Sequence, residues 1–197
     1  VAGLLGASDT VLAEEEKTLS AVTVTANAEP PPPDGLRATK TRVGRVEQDP
    51  HDLPQSIVTV TRSLMDEQET NTLREALRNV PGISFNAAEG GRSGDNMMLR
   101  GFYTFGDIYL DGIRDTAQYN RETFNLERVE VLRGAAAMLF GRGQAGGVIN
   151  QVSKTPMLYG INAAAVGVGT DGYAAFNADL NQRLGETTAI RINMMAR

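Results

Sequence analysis

The sequence predicts an α/β domain of short strands and small helices over residues 41–156, followed by the first strands of a large antiparallel transmembrane β-barrel. Three observations carry that prediction. Between residues 56 and 152, short β-prone runs alternate with short helix-prone runs, and turn signals separate them. From Ala174 the pattern changes to strict alternation: Ala174, Phe176, Ala178 and Leu180 are apolar, while Asn177, Asp179 and Asn181 are polar. After turn-prone residues 183–186 the alternation returns, with Ile190, Ile192, Met194 and Ala196 set against Arg191, Asn193 and Arg197. Strands of about ten residues with this dyad and short turns suit a membrane barrel with a polar lumen. A soluble antiparallel meander also alternates, and is the competing reading of this segment alone.

Taken in order, residues 1–13 read as the remnant of a secretory signal peptide, mildly apolar and ending in Val11-Leu12-Ala13 before three glutamates. Residues 14–40 form a tail without helical periodicity. Its four-proline run, Pro30 to Pro33, favours extended polyproline II and resists packing. Before it lies a β-prone segment, residues 18–25, whose free backbone groups could pair with a partner's sheet edge. In the α/β domain, residues 56–61 read as a strand, and 64–68 and 73–80 as helices. The second helix presents Leu73, Ala76, Leu77 and Val80 on one face and stops at Pro81-Gly82. Residues 83–85, 97–100, 108–110, 129–132 and 148–152 read as strands, with Asp111-Gly112 as a turn. Ile161 to Val168 is the expected first wall strand, although its alternation is poor.

Composition narrows the function classes. Net charge is −5, with −3 falling in residues 1–40, so a sequence-independent nucleic-acid binder is disfavoured. There is no cysteine, which removes disulfide frameworks, thiolate metal sites and cysteine nucleophiles. The lone His51 lies in the turn-like Asp49-Pro50-His51-Asp52 and reads as a surface histidine rather than a metal ligand. No apolar run reaches the roughly 18 residues of a spanning helix. No nucleophile elbow or acid/base set emerges, so the expectation is a protein that is not an enzyme and holds no catalytic metal.

Gly141, Gly143 and Gly146 stand at GxGxxG spacing. A dinucleotide fingerprint needs a strand before the glycines and a helix directly after them. Here a helix-prone turn, Ala135 to Phe140, precedes them and the β-prone residues 148–152 follow. The nucleotide reading therefore fails on context. The same stretch carries Glu127-Arg128-Val129-Glu130-Val131-Leu132-Arg133-Gly134, then Met138-Leu139-Phe140-Gly141, then Gly146-Gly147-Val148-Ile149-Asn150. Upstream stand Met98-Leu99-Arg100-Gly101-Phe102 and Ile108-Tyr109-Leu110-Asp111-Gly112-Ile113-Arg114-Asp115. In order and spacing these pieces resemble the plug domain of TonB-dependent outer-membrane receptors. Gly112-Ile113-Arg114-Asp115 followed by Arg121-Glu122-Thr123-Phe124-Asn125 is most similar to the ferric-siderophore, catecholate-type branch.

The resemblance implies a plug with a short mixed sheet inside a barrel of the Gram-negative outer membrane. It implies active uptake of a ferric siderophore, with the iron carried by the ligand and no cofactor of the protein's own. The partners it implies are the siderophore, outer-membrane lipid and a TonB-type energy transducer. That transducer would grip a periplasmic TonB box at Leu19, Ser20, Ala21, Val22, Thr23 and Val24. Plug apex loops would meet the ligand through Arg92, Tyr103, Arg114, Tyr119 and Arg121, since arginine and aromatic rings suit an anionic aromatic ligand. Arg100 and Arg133 would lock the plug to carboxylates of the barrel wall. Gly101, Gly134, Gly141, Gly146 and Gly147 would permit tight turns and close backbone approach. Uptake of cobalamin or an oligosaccharide is the alternative within the class; a signalling transducer is a further one, for which residues 14–17 leave no regulatory domain. Plugged barrels have about 22 strands, and the three read here make a receptor fragment the expectation.

Overall fold

The computed structural model describes residues 34–43, 46–86, 94–141 and 145–197. The signal remnant, the residues Leu19 to Val24, the proline run, Arg92 and Gly143 lie outside the described residues. In chain order the elements are β1 (Ile57–Thr61), α1 (Arg62–Glu67), α2 (Leu73–Ala76), β2 (Ile83–Phe85), β3 (Met97–Leu99) and β4 (Phe102–Tyr103). They continue with β5 (Ile108–Leu110), β6 (Ile113–Arg114), β7 (Leu126–Arg133), α3 (Ala137–Phe140), β8 (Gly147–Ser153), β9 (Ile161–Val168), β10 (Ala174–Arg183) and β11 (Ala189–Ala196).

A five-stranded mixed sheet, in the order β1-β7-β8-β5-β6, forms the frame of the α/β domain. Only β5 and β8 run parallel; every other pair in it is antiparallel. β7 is covered on both faces, so its period-two side chains feed two cores. Val129 and Val131 join Val60, Met65, Leu73, Leu77, Leu99 and Ile149 on one side. Leu132 joins Val43, Tyr109, Ala136 and Val148 on the other. A small sheet, β2-β3-β4, closes the first core. Short helices suffice because their apolar stripes do the packing: Leu73, Ala76, Leu77 and Val80 are all buried.

The helix expected over 73–80 ends as regular α-helix at Ala76. Its start is well specified: Thr72 accepts from the Glu75 backbone N–H, and the Glu75 carboxylate accepts from Thr72, completing a capping box. Beyond Ala76 the chain tightens into a turn, with Val80 N–H donating to Leu77 O, and Gly82 adopts φ +85° to lead into β2. The sequence reading places no strand at 102–103 or 113–114, where the two-residue strands β4 and β6 form. Pairing with β3 and β5 defines them, and such non-local pairing leaves no local period in so short a run. His51 is exposed in a single 3₁₀ turn, Pro50–Asp52, capped by the Asp49 carboxylate.

Glu130 occupies the middle of β7 and is fully buried. Its Oε1 accepts from Arg128 Nε (2.9 Å), Thr41 Oγ1 (3.0 Å) and the Arg42 backbone N–H (2.7 Å), and its Oε2 from Asn150 Nδ2 (3.1 Å). Asn150 Oδ1 in turn accepts from Gly112 N–H. The carboxylate therefore joins the N-terminal segment, two strands and the β5–β6 turn. A buried charge is tolerated on these terms because four donors, one of them a guanidinium, answer it.

β9, β10 and β11 form a separate antiparallel sheet, with β10 in the centre. Even-numbered residues Phe176, Leu180, Ile190, Ile192 and Met194 are exposed and apolar. Odd-numbered Asn177, Asp179, Asn181, Arg191 and Asn193 are partly or fully buried. An exposed apolar face opposite a covered polar one is the inverse of a soluble sheet and the arrangement of a membrane barrel wall.

Glycines after α3 answer to crowding. A Cβ on Gly146 would collide with the Leu99 carbonyl oxygen, and one on Gly147, at φ +133°, with that of Leu132. The strand β8 that follows also removes the helix a dinucleotide site would need.

Two outcomes test this account by chemical denaturation. Glu130→Ala leaves Arg128 buried without its carboxylate and is expected to cost about 3–5 kcal/mol. Gly147→Ala is expected to cost about 2–4 kcal/mol, through collision and backbone strain, whereas Gly185→Ala, whose Cβ would meet only Thr188 Cβ at 4.0 Å, should stay within about 0.5 kcal/mol.

Candidate functional site

The loops flanking β3–β4 and following β6 converge on a small recess of about 30 Å³. Tyr103, Phe105, Asp95, Asp115 and Arg121 line it. Tyr103 and Phe105 are exposed there, placing two aromatic faces at the mouth.

Arg121 shapes the recess from beneath. Its side chain is 3% exposed, and the guanidinium is consumed by this chain's own acceptors. Nε donates to Asp115 Oδ2 (3.0 Å) and Nη1 to Asp95 Oδ2 (3.3 Å). Nη2 donates to the Ala117 carbonyl (2.8 Å), and the Arg121 backbone N–H to Asp95 Oδ2 (3.0 Å). The Tyr119 ring stacks on the guanidinium with 4.3 Å to its centroid, and Tyr119 OH donates to Asp115 Oδ2 (2.8 Å). Two segments distant in sequence, 94–96 and 115–121, are thus fastened to one cation. Burial raises the Asp95 pKa above the ordinary carboxylate value, with the Arg121 hydrogen bonds and charge opposing it. Asp115 is less enclosed: burial pushes it up, but hydrogen bonds from Arg121 and Tyr119 prevail and hold it below the ordinary value.

The residues read from the sequence as ligand contacts therefore fall into different settings. Tyr103 lines the recess and Tyr119 is exposed beside it. Arg121 is enclosed, and its buried position differs from the exposed loop position expected of it. Its partners lie up to 26 residues away, so no local pattern announces them. Arg114 is exposed but points to the other face of the β5–β6 hairpin. There its Nε and Nη2 donate to Tyr109 OH (3.2 and 3.0 Å), and its guanidinium lies 5.6 Å from the Tyr109 ring centroid. Tyr109 OH also donates to the Phe140 carbonyl.

Arg100 follows β3 and Arg133 ends β7, and the Arg100 side chain reaches Gly134, the residue after Arg133. A Cβ on that glycine would lie 3.5 Å from Arg100 Nη1. Arg100 has φ +55° and is exposed; Arg133 Nε is buried with no hydrogen-bond partner among the described residues. Gly101, Gly134 and Gly141 all have positive φ. Among the described residues no group of three or more His, Cys, Asp or Glu is placed to hold a metal.

A second charged cluster escaped the sequence reading. Lys154, immediately after β8, donates to Asp179 of β10 at 2.8 Å. Arg191 of β11 reaches the same carboxylate at 2.7 Å and lies 3.8 Å from Glu127 of β7. Burial lowers the Lys154 pKa, with the Asp179 hydrogen bond and charge acting against it. The available signal was the charge at odd positions of the alternating strands, which reads equally well as a wet lumen.

Comparison with known proteins places this geometry. Residues 49–148 match the model of the TonB-dependent Receptor Plug Domain family. The probable TonB-dependent receptor BfrD of Bordetella pertussis is 39% identical over 145 residues, covering 73% of this chain and 20% of that protein. The catecholate siderophore receptor Fiu of Escherichia coli is 39% identical over 148 residues, covering 73% and 19%. The chain spans about a fifth of the length of the curated relatives it matches. Among solved structures, the siderophore receptor PiuA of Acinetobacter baumannii superimposes with a TM-score of 0.75 at 33% identity over 82% of this chain and 23% of that one. The closed form of the Escherichia coli ferric-catecholate import receptor Fiu does so with a TM-score of 0.75 at 35% identity over 83% and 23%. Coverage of that extent exceeds what residues 41–156 can supply, so the likeness continues into the wall strands.

Arg121→Ala would strand the buried Asp95 carboxylate. The expected result is a loss of about 3–5 kcal/mol with amide-exchange protection collapsing in segments 94–96 and 115–121. Arg114→Ala, which loses bonds to the Tyr109 hydroxyl on the β5–β6 hairpin, should leave those segments protected.

Proposed function

The chain belongs to the TonB-dependent receptor plug-domain family, and on that premise we propose that it serves as the plug and first wall strands of an outer-membrane receptor for a ferric siderophore of catecholate type. The observation that carries the reading is the relatives' own description: proteins 37–39% identical to this chain are named as siderophore and catecholate siderophore receptors. The family is one of receptors rather than enzymes.

The geometry supports the reading at three points. The recess presents Tyr103 and Phe105 on and just after β4, which pairs with β3 and is fastened by Thr104 to the Met97 carbonyl, so aromatic faces are offered with little ordering cost at the moment of binding. Arg92 and Tyr119 complete the proposed ligand surface, and Arg121 works by fixing its shape. The exposed apolar face of β9–β11 suits lipid, which sets the opposite face toward the plug. Arg133 Nε is left without a partner among the described residues, as a lock awaiting a wall carboxylate would be; Arg100 stands beside it.

Transport then needs a pull. We assign it to a TonB-type transducer gripping residues 19–24 in the periplasm. Force on that segment would reach the plug through the chain that enters it at Asp34.

Iron-limited growth with a panel of ferric siderophores tests the reading. Growth supported by a ferric catecholate, and lost when the transducer is deleted, is the expected result; growth on cobalamin or oligosaccharide alone would sink it. Val22→Pro removes one backbone donor from the gripped strand and should abolish uptake while ligand affinity stays at the parental value. Arg92→Ala with Tyr103→Ala should weaken ferric-catecholate binding by about tenfold or more, on the scale of one lost charge-assisted contact plus stacking; an unchanged titration removes the recess from the ligand site.

A further inference from the structure

The recess beside β4 carries the wrong charge for an anion. Asp95 and Asp115 line it, and Arg121 is the one cationic side chain among the described residues of its lining. That guanidinium is 3% exposed and paired with both carboxylates. Two carboxylates against one enclosed cation leave the lining negative. Arg114 on the neighbouring hairpin does not alter this, since it is turned to Tyr109 on the other face. The wider apex repeats the balance: residues 86–96, 102–107 and 113–123 together hold five acidic residues against three arginines.

Asp115 is the acceptor within reach. Its Oδ2 takes hydrogen bonds from Arg121 Nε and Tyr119 OH, and its Oδ1 takes the Ala117 backbone N–H (3.3 Å). A carboxylate offers about four acceptor positions, so one stays open, and the side chain is 18% exposed. Burial raises its pKa, but the bonds from Arg121 and Tyr119 outweigh that and hold it below the ordinary carboxylate value, so it stays ionised at neutral pH. The Tyr103 and Phe105 rings share this lining and are exposed. The face of an aromatic ring is electron-rich and attracts a cation. An ionised carboxylate and two ring faces in one recess suit an ammonium group. The same set repels an iron–tris-catecholate core, which is strongly anionic. Size agrees with charge. The recess holds about 30 Å³; a water needs roughly 10–15 Å³, so an ammonium head fits and a catechol ring does not.

We propose that this recess is a cation-accepting subsite: it takes a protonated amine on the siderophore backbone, held by the Asp115 carboxylate and the Tyr103 and Phe105 ring faces, while the iron–catecholate core stays outside it. The inference rests on the receptor reading above and narrows its ligand to catecholates that carry a basic amine. Asp115 and the two rings set specificity, and Arg121 positions Asp115. Arg92, outside the described residues, remains the candidate for contact with the anionic core.

The test is a binding titration on the intact receptor with two synthetic probes that share one ferric tris-catecholate core. One carries a free primary amine on its backbone; in the other that amine is acetylated and the positive charge is gone. The parent should bind the free amine about tenfold more tightly, on the scale of one ion pair with cation–π contacts in a partly sheltered site. Gln118 is exposed in the lining. Gln118→Lys sets a competing ammonium there and should erase the preference, with the acetylated probe bound at least as tightly as by the parent. Gln118→Glu should widen the preference. Equal affinity of the parent for both probes, or tighter binding of the acetylated one, overturns the subsite. So does a preference that survives Gln118→Lys or narrows in Gln118→Glu, because the amine is then read elsewhere. Binding of neither probe by the parent, with no transducer-dependent uptake of either, would instead overturn the receptor reading.

Discussion

The Glu130 carboxylate is the constraint around which the plug is arranged. A charge in the middle of a strand covered on both faces is stable only if donors reach it from several directions. Those donors come from Arg128 on its own strand, Asn150 on the next, and Thr41 and Arg42 far upstream. Meeting that demand fixes the β7–β8 register, since Glu130 and Asn150 are direct partners in the ladder. It also draws the N-terminal segment across the sheet, which brings Val43 into the core formed by Tyr109, Leu132, Ala136 and Val148. A hydrophobic residue at 130 could be equally stable and would make no such demand for these particular partners. The carboxylate contributes a unique arrangement more than it contributes stability.

The same logic recurs with the sign reversed at Arg121. There a buried cation gathers Asp95, Asp115 and two backbone carbonyls, and the loops adopt their shape in doing so. A polar, glycine-bearing loop would ordinarily sample many conformations, and binding would have to select one. Fastening the loops to an internal cation moves that ordering into folding. Tyr103 and Phe105 stand exposed beside those loops.

How much of this was legible depends on how far each feature depends on sequence neighbours. The wall strands were legible because a period of two over Ala174–Leu180 and Ile190–Ala196 is a local property. So were β2, β5 and β9, whose bounds match the apolar runs. Glu130 was not. In Leu126-Glu127-Arg128-Val129-Glu130-Val131 the alternation reads as a half-buried strand with a wet polar face, and the cover over that face comes from Thr41, 89 residues earlier. Arg121 was misread for the same reason: an arginine between Asn120 and Glu122 after a tyrosine looks exposed until Asp95 is brought beside it. β4 and β6 were missed because two residues cannot display a period. In each case the sequence records what a residue is, while its role depends on a partner that only the fold supplies.

That dependence bears on what the polar face of the wall is for. In an open channel the odd positions of barrel strands face water, and their identities matter mainly for what passes. Here Asp179, Asn181 and Arg191 are committed to Lys154, Met157, Thr155 and Glu127. Opposite them, β9 turns Ile161, Ala163, Ala165 and Gly167 to the same side, and apart from Ile161 these are small. The inner wall therefore has two textures, one that grips the end of the plug and one that offers it nothing to hold. Polar alternation alone cannot distinguish a gripping face from a smooth one; the partners of the alternating residues do.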